Sequence, residues 1–283
     1  AAYLHLNEKK LYELARRCEI PAARVGGKWL FPRALIDQWL LEQAHGGALT
    51  DRLLIAGSHD PLLASAIQAL AHDLGADAFV AYSPTDTCHG LALLARGRAN
   101  ISLLGWGSAQ ASAAQHAALL RQYPHPEEWA SIRMGLREQG VLLRPGLGIR
   151  QLDTLAGFDV RWAMRPTGSS SGHFLASMLR AGGFGPQDCS IACEALDGHH
   201  AASLLVRNEA DCAPGPRALA SSYGLDFLSL GWEALDLVMP RSMFFRHLFQ
   251  QLIARLHGQA VHDLANRLGG YDLSALGRIQ PHS

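Results

Sequence analysis

The sequence of 283 residues has few cysteines and no segment suited to a membrane. Its five cysteines are odd in number and irregularly spaced, which argues against a disulfide framework and is typical of a reducing compartment. A signal peptide and an apolar run of bilayer-spanning length are both missing, which predicts a cytoplasmic protein with no membrane partner. The cysteines are Cys18, Cys88, Cys189, Cys193 and Cys212.

The motifs of common enzyme and metal sites are also missing. Cys189 and Cys193 lack a second pair at zinc spacing, and neither His-Glu-x-x-His nor Gly-x-x-x-x-Gly-Lys occurs. The run GSSSG at 168–172 resembles a nucleophile elbow only superficially, and no nucleophile–base arrangement accompanies it. We therefore predict no catalytic residue, no metal ligand and no cofactor.

Charge is balanced over the whole chain but not along it. The formal net charge is zero, so no overall field attracts nucleic acid. The first 45 residues carry seven Lys or Arg against five Asp or Glu, which leaves the remainder slightly acidic. This asymmetry places a nucleic-acid contact at the N-terminal end. A hydrophobic content of 48% and a charged content of 18% are typical of a compact folded chain.

A short hairpin with a basic turn is predicted near the N-terminus. Two β-prone runs, 23–25 and 28–31, flank Gly26-Gly27, and adjacent glycines supply the positive φ angles of a tight turn. Pro32 ends the second run, and the pattern after it predicts a helix over 33–43.

Helices flank this hairpin on both sides. The later helix places Leu35, Trp39 and Leu40 on one face, which predicts that this face is buried. Upstream, Asn7 is suited to cap a helix that runs to about Cys18. A helix followed by a basic hairpin is the arrangement of a winged helix-turn-helix.

The segment IPAARVGGKWLFPRALIDQWL, residues 20–40, closely resembles the excisionase-type, MerR-like DNA-binding domain. The resemblance implies a DNA-binding head over 1–43, a linker over 44–52 and double-stranded DNA as a partner. An extra helix precedes this segment in that family, so a further helix is expected before Tyr3. An accessory basic hairpin without a DNA role is the alternative. The predicted DNA contacts are Asn7, Lys9, Lys10, Tyr12, Arg16, Arg17, Arg24 and Lys28.

From residue 53 onward strands and helices alternate, which predicts parallel strands with crossover helices. The same order begins again after Gly140, and two such lobes joined by crossing segments are the plan of a type II periplasmic-binding-protein fold. The predicted fold class is therefore α/β, with a sensing domain over 53–283, lobe 1 at about 53–136 and 233–283, and lobe 2 at about 137–232. Strands are predicted at 53–56, 78–82, 100–104, 141–143, 161–164 and 190–193, with helices at 61–74, 88–96, 108–122, 149–155, 172–181, 201–207, 243–257 and 260–268.

Several segments of this second part match a known family in order and spacing: 57–60, 90–97, 137–140, 168–171, 209–211 and 224–227. Through them, residues from about 53 to 241 resemble the binding-protein-like domain often fused to excisionase-type heads. That family is related to molybdate- and tungstate-binding proteins. The resemblance implies an oxyanion effector held between the lobes.

Three loops join predicted strand ends to helix starts with small polar residues, at 57–61, 83–88 and 166–172. Each offers hydroxyls and free backbone N–H groups, and three such helix starts together suit a dehydrated anion. Capping alone is the alternative for any one loop. With an aromatic wall and a charge partner added, the predicted ligand contacts are Ser58, His59, Asp60, Thr85, Asp86, Thr87, Trp106, Arg165, Gly168, Ser169, Ser170 and Ser171.

The sequence departs from the family pattern within these loops. The family's Gly-Thr-Arg ending of the third loop is replaced by Ser170-Ser171-Gly172, and its Gly-Ser in the second loop by Asp86-Thr87. Trp106 follows the third strand where the family has a histidine nearby. Because these changes fall at the predicted contacts, another oxyanion or a small organic molecule is the alternative effector.

The function predicted from these features is a one-component transcription regulator that senses a small ligand. A homodimer or higher homo-oligomer is expected, because one small head contacts too little DNA. Ligand closure of the lobes would change the spacing of two heads relative to DNA half-sites. A solute-binding protein that serves a transporter and an enzyme are the rival predictions.

Overall fold

The structure is a computed structural model that describes residues 2–17, 19–43, 52–155 and 160–281. The chain divides into two units, Ala1–Asp51 and Arg52–Ser283. Most of the predicted linker, 44–51, lies outside the described residues. Within the ranges given above, no helix is long and apolar enough to cross a membrane.

The first unit is a pair of helices with a hairpin between them. Its first helix begins after Asn7, whose side-chain oxygen accepts a hydrogen bond from the Lys10 backbone N–H at 3.1 Å, as the predicted cap requires. Gly26 and Gly27 both have positive φ and form the hairpin turn. The elements are α1 Glu8–Arg16, β1 Ala23–Val25, β2 Lys28–Leu30 and α2 Arg33–Gln43, after a 3-10 turn at Ala2–Leu4.

The buried face of α2 differs from the predicted one. Leu35 and Leu40 were expected to point inward, but their side chains are 50% and 38% exposed, so this prediction is wrong. Ile36 is buried instead, and Trp39, three residues on, packs beside it and donates its indole N–H to the Glu19 carbonyl at 3.1 Å. Residues three apart share a helix face, so the contact is centred on this pair. The buried core is Leu11, Ala15, Ile20 and Ile36.

The second unit alternates strands and helices along the chain. Its strands are β3 Arg52–Gly57, β4 Phe79–Pro84, β5 Ile101–Gly105, β6 Trp129–Leu143, β7 Arg161–Met164, β8 Ser190–Glu194, β9 Cys212–Pro216, β10 Asp226–Pro240, β11 Tyr271–Asp272 and β12 Ile279–Gln280. Its α-helices are α3 Pro61–Leu74, α4 Thr87–Ala95, α5 Ser112–Leu120, α6 Ser170–Ala181, α7 Gly198–Val206, α8 Arg217–Tyr223, α9 Arg241–Phe244, α10 His247–Leu256 and α11 Gln259–Leu268.

These strands form one mixed sheet in the order β4-β3-β5-β10-β6-β9-β7-β8, with β11 and β12 also paired to β6. The strands β4, β3 and β5 are parallel, and so are β8, β7 and β9 at the other end. Between them, β6 and β10, each 15 residues long, pair antiparallel along nearly their whole length. The two-lobed α/β fold is therefore confirmed, with the long strand pair as the connection between the lobes.

Each lobe has hydrophobic cores on both faces of its part of the sheet. In the first lobe, α3, α10 and α11 cover one face and α4 and α5 the other. In the second lobe, α7 and α8 cover one face, and α6 with the segment around Leu155 covers the other. Trp162 is fully buried in this last core, so it serves packing.

Two glycines let α4 lie unusually close to β3. Gly57, at the end of β3, has a φ of 108°, and a Cβ there would lie 2.4 Å from the Leu103 carbonyl oxygen. A Cβ on Gly90, within α4, would lie 2.4 Å from the Gly57 Cα. Only glycine fits such backbone-to-backbone contact. The loop that follows Gly57 is thereby held in a fixed position.

Two predicted helices differ from the structure. The segment 149–155 forms bends and turns and no helix, and the backbone before it is already irregular, with positive φ at Gly146 and Gly148. Leu155 nevertheless fills the core from this irregular segment. The helix predicted over 243–257 is split into α9 and α10, because the backbone at Arg246 is extended and begins a new helix.

Candidate functional site

A cavity lies between the two lobes at the ends of their parallel strands. The strands β3 and β4 of the first lobe and β7 and β8 of the second end here, and α3, α4, α6 and α7 begin here. The cavity measures about 30 Å³, which holds one or two water-sized groups. Its lining residues are Ser58, His59, Thr85, Asp86, Arg137, Arg165, Ser169, Ser170, Ser171, Asp197, Gly198, Pro216 and Leu219.

Helix caps form much of the cavity wall. The carboxylates of Asp86 and Asp197 each accept the backbone N–H three residues on, at 2.7 Å, and the Ser169 hydroxyl accepts one at 3.1 Å. Each carboxylate uses one oxygen for the cap, and the second oxygen has no hydrogen-bond partner among the described residues. The same side chains therefore fix helix ends and present acceptors to the cavity.

Arg165 is the cation of the cavity wall with the most unused donors. It follows β7 and donates one guanidinium N–H to the Ala195 carbonyl at 2.6 Å. Within the described ranges its other guanidinium N–H groups have no partner, and it forms no ion pair. Burial lowers the pKa of Arg165, and the nearby charges of Asp197 and Asp86 oppose this shift. A partly buried guanidinium with unused N–H groups is suited to bind an anionic group.

Arg137 is the second cation that lines the cavity, and it belongs to a buried ionic cluster. Its side chain comes from the middle of β6 and is 2% exposed, while those of Asp60 and Glu233 are 0% exposed. Its Nε and Nη2 donate to Glu233 at 2.9 and 2.5 Å, and its Nη1 to Asp60 at 3.2 Å. Further bonds reach the His59 carbonyl at 2.7 Å and the Ser170 hydroxyl at 3.5 Å.

The Arg137 guanidinium has five N–H donors, and this cluster engages all of them. Burial alone lowers the pKa of Arg137, but the carboxylates of Glu233 and Asp60 outweigh it, and the net shift is upward. Arg137 is therefore held charged by neighbours from three segments. It positions the loop at His59 and the start of α6 while leaving no donor for a ligand.

Among the described residues, contacts between side chains and between backbone groups join the lobes beside the cavity. The Nε2 atoms of His59 and His199 lie 3.2 Å apart. The rings of Trp106 and His173 stack with centroids 3.8 Å apart. The Cys88 backbone N–H donates to the Gly168 carbonyl at 3.3 Å. These contacts describe a closed cleft.

Two of the histidines in these contacts favour their uncharged form. Burial, and then the charge of His199, lower the pKa of His59 to about 4. Burial also lowers the pKa of His173, with a smaller contribution from Arg180. His59 and His173 therefore contribute neutral imidazoles to the interlobe contacts at ordinary pH.

Eight of the twelve ligand contacts predicted from the sequence line this cavity: Ser58, His59, Thr85, Asp86, Arg165, Ser169, Ser170 and Ser171. The other four lie around it. Asp60 caps α3 and binds Arg137 and Tyr271, and Thr87 supports Ser58 through a hydroxyl contact at 2.7 Å. Trp106 and Gly168 make the interlobe contacts described above.

Five lining residues were not predicted as contacts: Arg137, Asp197, Gly198, Pro216 and Leu219. Asp197-Gly198 carries the same signal as the three recognised loops, an Asp cap between a strand end and a helix start, and it was recognisable from the sequence. Arg137 gave no such signal, because it lies within a strand.

The predicted DNA contacts lie on the surface of the first unit. Asn7, Lys9, Lys10, Tyr12, Arg16, Arg17, Arg24 and Lys28 are all exposed. The Asn7 side chain serves the cap of α1, and Glu13 pairs with Lys10 at 3.6 Å and with Arg17 at 2.7 Å. In the described part of this unit, Lys9, Arg16, Arg24 and Lys28 form no ion pair.

The described segments show neither a metal-ligand cluster nor a disulfide. They contain no group of three or more His, Cys, Asp or Glu arranged to hold a metal ion. Cys88, Cys189, Cys193 and Cys212 are free thiols, and Cys18 lies outside the described residues.

The fold is similar to that of solved binding proteins and regulators. A hydrogen-peroxide-bound cysteine mutant of OxyR from Corynebacterium glutamicum has a TM-score of 0.58 at 16% identity, over 95% of this chain and 88% of that one. A phosphate-bound, putative phosphate ABC transporter substrate-binding protein from Clostridium perfringens has a TM-score of 0.56 at 9% identity, over 80% and 99%. The effector-binding domain of QuiR in complex with shikimate has a TM-score of 0.52 at 9% identity, over 73% and 95%.

Family models match both parts of the chain. No curated protein matches the sequence itself. The model of a helix-turn-helix domain matches residues 1–44. Since the model of the PBP superfamily domain matches residues 68–257, more than half of the chain, this protein belongs to the PBP superfamily.

Proposed function

We propose that this protein is a one-component transcription regulator, in which the first unit binds double-stranded DNA and the cleft of the second binds a small effector. The observation that carries the proposal is the presence, in one chain, of a helix-turn-helix domain and a closed cleft lined by polar groups of both lobes. The regulator acts in the cytoplasm, where its DNA is.

The charges of the first unit support DNA binding. Lys9, Arg16, Arg24 and Lys28 are exposed cations without an ion-pair partner in the described part of the unit, which suits contacts to phosphates. Lys10 and Arg17 pair with Glu13 only at the solvent-exposed surface, where such pairs are weak, so they remain available too.

The effector enters between the lobes of a sensing domain that we place at 53–283. Structures of similar fold hold phosphate or shikimate, so the fold accommodates both an oxyanion and an organic acid. Hydroxyls of Ser170 and Ser171 favour the oxyanion predicted from the sequence, such as molybdate or tungstate. The carboxylates of Asp86 and Asp197 oppose a doubly charged anion, so we place a small organic molecule first.

The effector controls DNA binding by shifting the population of closed protein. The effector changes the DNA affinity by no more than the ratio of its own affinities for the conformation that binds DNA and the conformation that does not. We propose a homodimer. Closure of the lobes would then change the spacing of the two DNA-binding units, and with it how well they match two DNA half-sites. Lobe 1 comprises about 53–136 and 233–283, and lobe 2 about 137–232.

Selection of bound fragments from a genomic DNA library by the full chain tests the proposal. We expect enrichment of one sequence, with an affinity that falls steeply as salt rises. Lys28→Ala in the hairpin should weaken binding and lower the slope of log affinity against log salt by about 1, because one phosphate contact is lost.

Arg207→Ala is the matched control, because it removes one exposed positive charge from the second unit. Its DNA affinity and salt slope should equal those of the wild type. Failure to enrich any sequence, or an equal loss in both variants, would contradict a DNA-binding role for the first unit.

A further inference from the structure

The cleft holds one arginine and two aspartates that form no ion pair with one another. Arg165 is close enough to Asp86 and Asp197 for their charges to act on its pKa, yet it pairs with neither in the described structure. The cavity lies among these three side chains. A ligand that completes the site must therefore meet a cation and two carboxylates at once.

The donors of the cleft collect around the start of α6. Arg165 offers its unused guanidinium N–H groups beside Ser169, Ser170 and Ser171. The Ser169 hydroxyl is taken up by the cap, but within the described chain the backbone N–H groups of Ser170 and Ser171 have no acceptor. This set suits one carboxylate, which has room for several N–H donors on its two oxygens.

The acceptors of the cleft belong to Asp86 and Asp197. Each has one carboxylate oxygen left over from its cap, and both side chains line the cavity. Arg137 does not compensate their charge, because Glu233 and Asp60 already bind it. The formal charge around the cavity is thus negative, which opposes a dianion and favours a ligand that also carries an ammonium group.

Resting on the proposed function, we infer that the effector is a small zwitterion, with a carboxylate held by Arg165 and the start of α6 and an ammonium group held by Asp86 and Asp197. Because the cavity holds only one or two water-sized groups as the lobes stand, the lobes must separate to admit the ligand, which favours the smallest zwitterions. The inference needs no metal, and the described residues offer no metal site.

Calorimetric titration of the full chain tests the two charges separately. The zwitterionic probes are glycine, alanine, serine, β-alanine and γ-aminobutyrate. Acetate and propionate, which lack the ammonium group, and methylamine, which lacks the carboxylate, are the singly charged probes. At least one zwitterion should bind, and its singly charged analogues should bind at least about tenfold more weakly, because a buried charged partner is then left unpaired. Titration with molybdate, tungstate, sulfate and phosphate should give no tight binding to the wild type.

Asp86→Asn and Asp197→Asn remove the negative charge and retain a capping side chain, so the helices should still form. Each should weaken zwitterion binding at least about tenfold, and the double variant should gain affinity for molybdate. Asp153→Asn is the matched control, because Asp153 is an exposed carboxylate that also accepts a backbone N–H, at 2.8 Å. It should bind as the wild type does.

Two results would overturn the inference. One is tight molybdate binding to the wild type that the Asn variants do not improve, and the other is the absence of binding by every zwitterion in the panel. Neither bears on the DNA-selection experiment, which decides the proposed function by itself. Conversely, zwitterion binding without sequence-specific DNA binding would keep the ligand class and refute the regulator.

Discussion

Replacing Arg137 by methionine should destabilise the second unit more than any surface change. The substitution keeps an unbranched side chain of similar length in β6 but leaves Asp60 and Glu233, both 0% exposed, without their cation. Removing one partner of a buried ion pair is costly, because the remaining charge stays away from water without compensation. Gln139 donates to the same Glu233 oxygen and cannot replace a charge.

The expected loss in the free energy of unfolding is about 3–5 kcal/mol. For a unit of this size, this corresponds to a fall of about 6–20 °C in the melting temperature. Arg207→Met is the matched control, since Arg207 pairs with Glu209 at the surface with both side chains about half exposed. Its loss should stay below about 1 kcal/mol.

Urea unfolding of both variants, followed by circular dichroism, measures the difference. The double variant Arg137→Met/Glu233→Met should recover part of the loss, because a buried charge is removed together with its lost partner. Equal stability of Arg137→Met and Arg207→Met would refute the reasoning, and so would a double variant less stable than Arg137→Met.

Three further predictions concern pH, packing and the first unit. As pH falls from 7 to 5, the free energy of unfolding should decrease by at most about 2 kcal/mol because of His59. The pKa of His59 is about 4 in the folded protein and higher in the unfolded chain, so the unfolded chain binds the proton first and is favoured as pH falls. His59→Gln should flatten this decrease in melting temperature, and an unchanged pH dependence would contradict it. Gly90→Ala should cost about 1–3 kcal/mol in urea unfolding, because its Cβ would lie 2.4 Å from the Gly57 Cα, and a neutral result would mean that α4 moves freely. Asn7→Ala should destabilise the first unit by about 1 kcal/mol in thermal melts while Asn7→Ser does not, because only the alanine variant loses the cap of α1.

Elements with signals at both ends were predicted well from the sequence. The helix α3 was predicted to the residue, because Asp60-Pro61 begins it and Gly75 ends it. The hairpin at Gly26-Gly27 followed from local turn chemistry in the same way. Each of these signals lies within a few residues of the element that it determines.

Features that depend on distant partners were missed. Only residues 141–143 of β6 were predicted, because charged residues such as Arg133 and Arg137 interrupt its hydrophobic pattern. These charges are buried with partners far along the chain, since Arg137 and Glu233 are 96 residues apart. The short strands β11 and β12 pair with β6 for the same non-local reason. A single sequence does not reveal such pairings.

The double role of the capping side chains restricts how this cleft can evolve. Asp86 and Asp197 each hold a helix start with one oxygen and face the cavity with the other. A new ligand preference reached by mutation at either position must keep a cap, which leaves Asn, Ser, Thr and Gly as the replacements that preserve the helix. Two of these four replacements carry a hydroxyl, and none carries a charge. Drift at these positions therefore leads relatives towards neutral, anion-tolerant clefts, and a relative with Ser or Thr at both positions should bind an anion more tightly than this protein does.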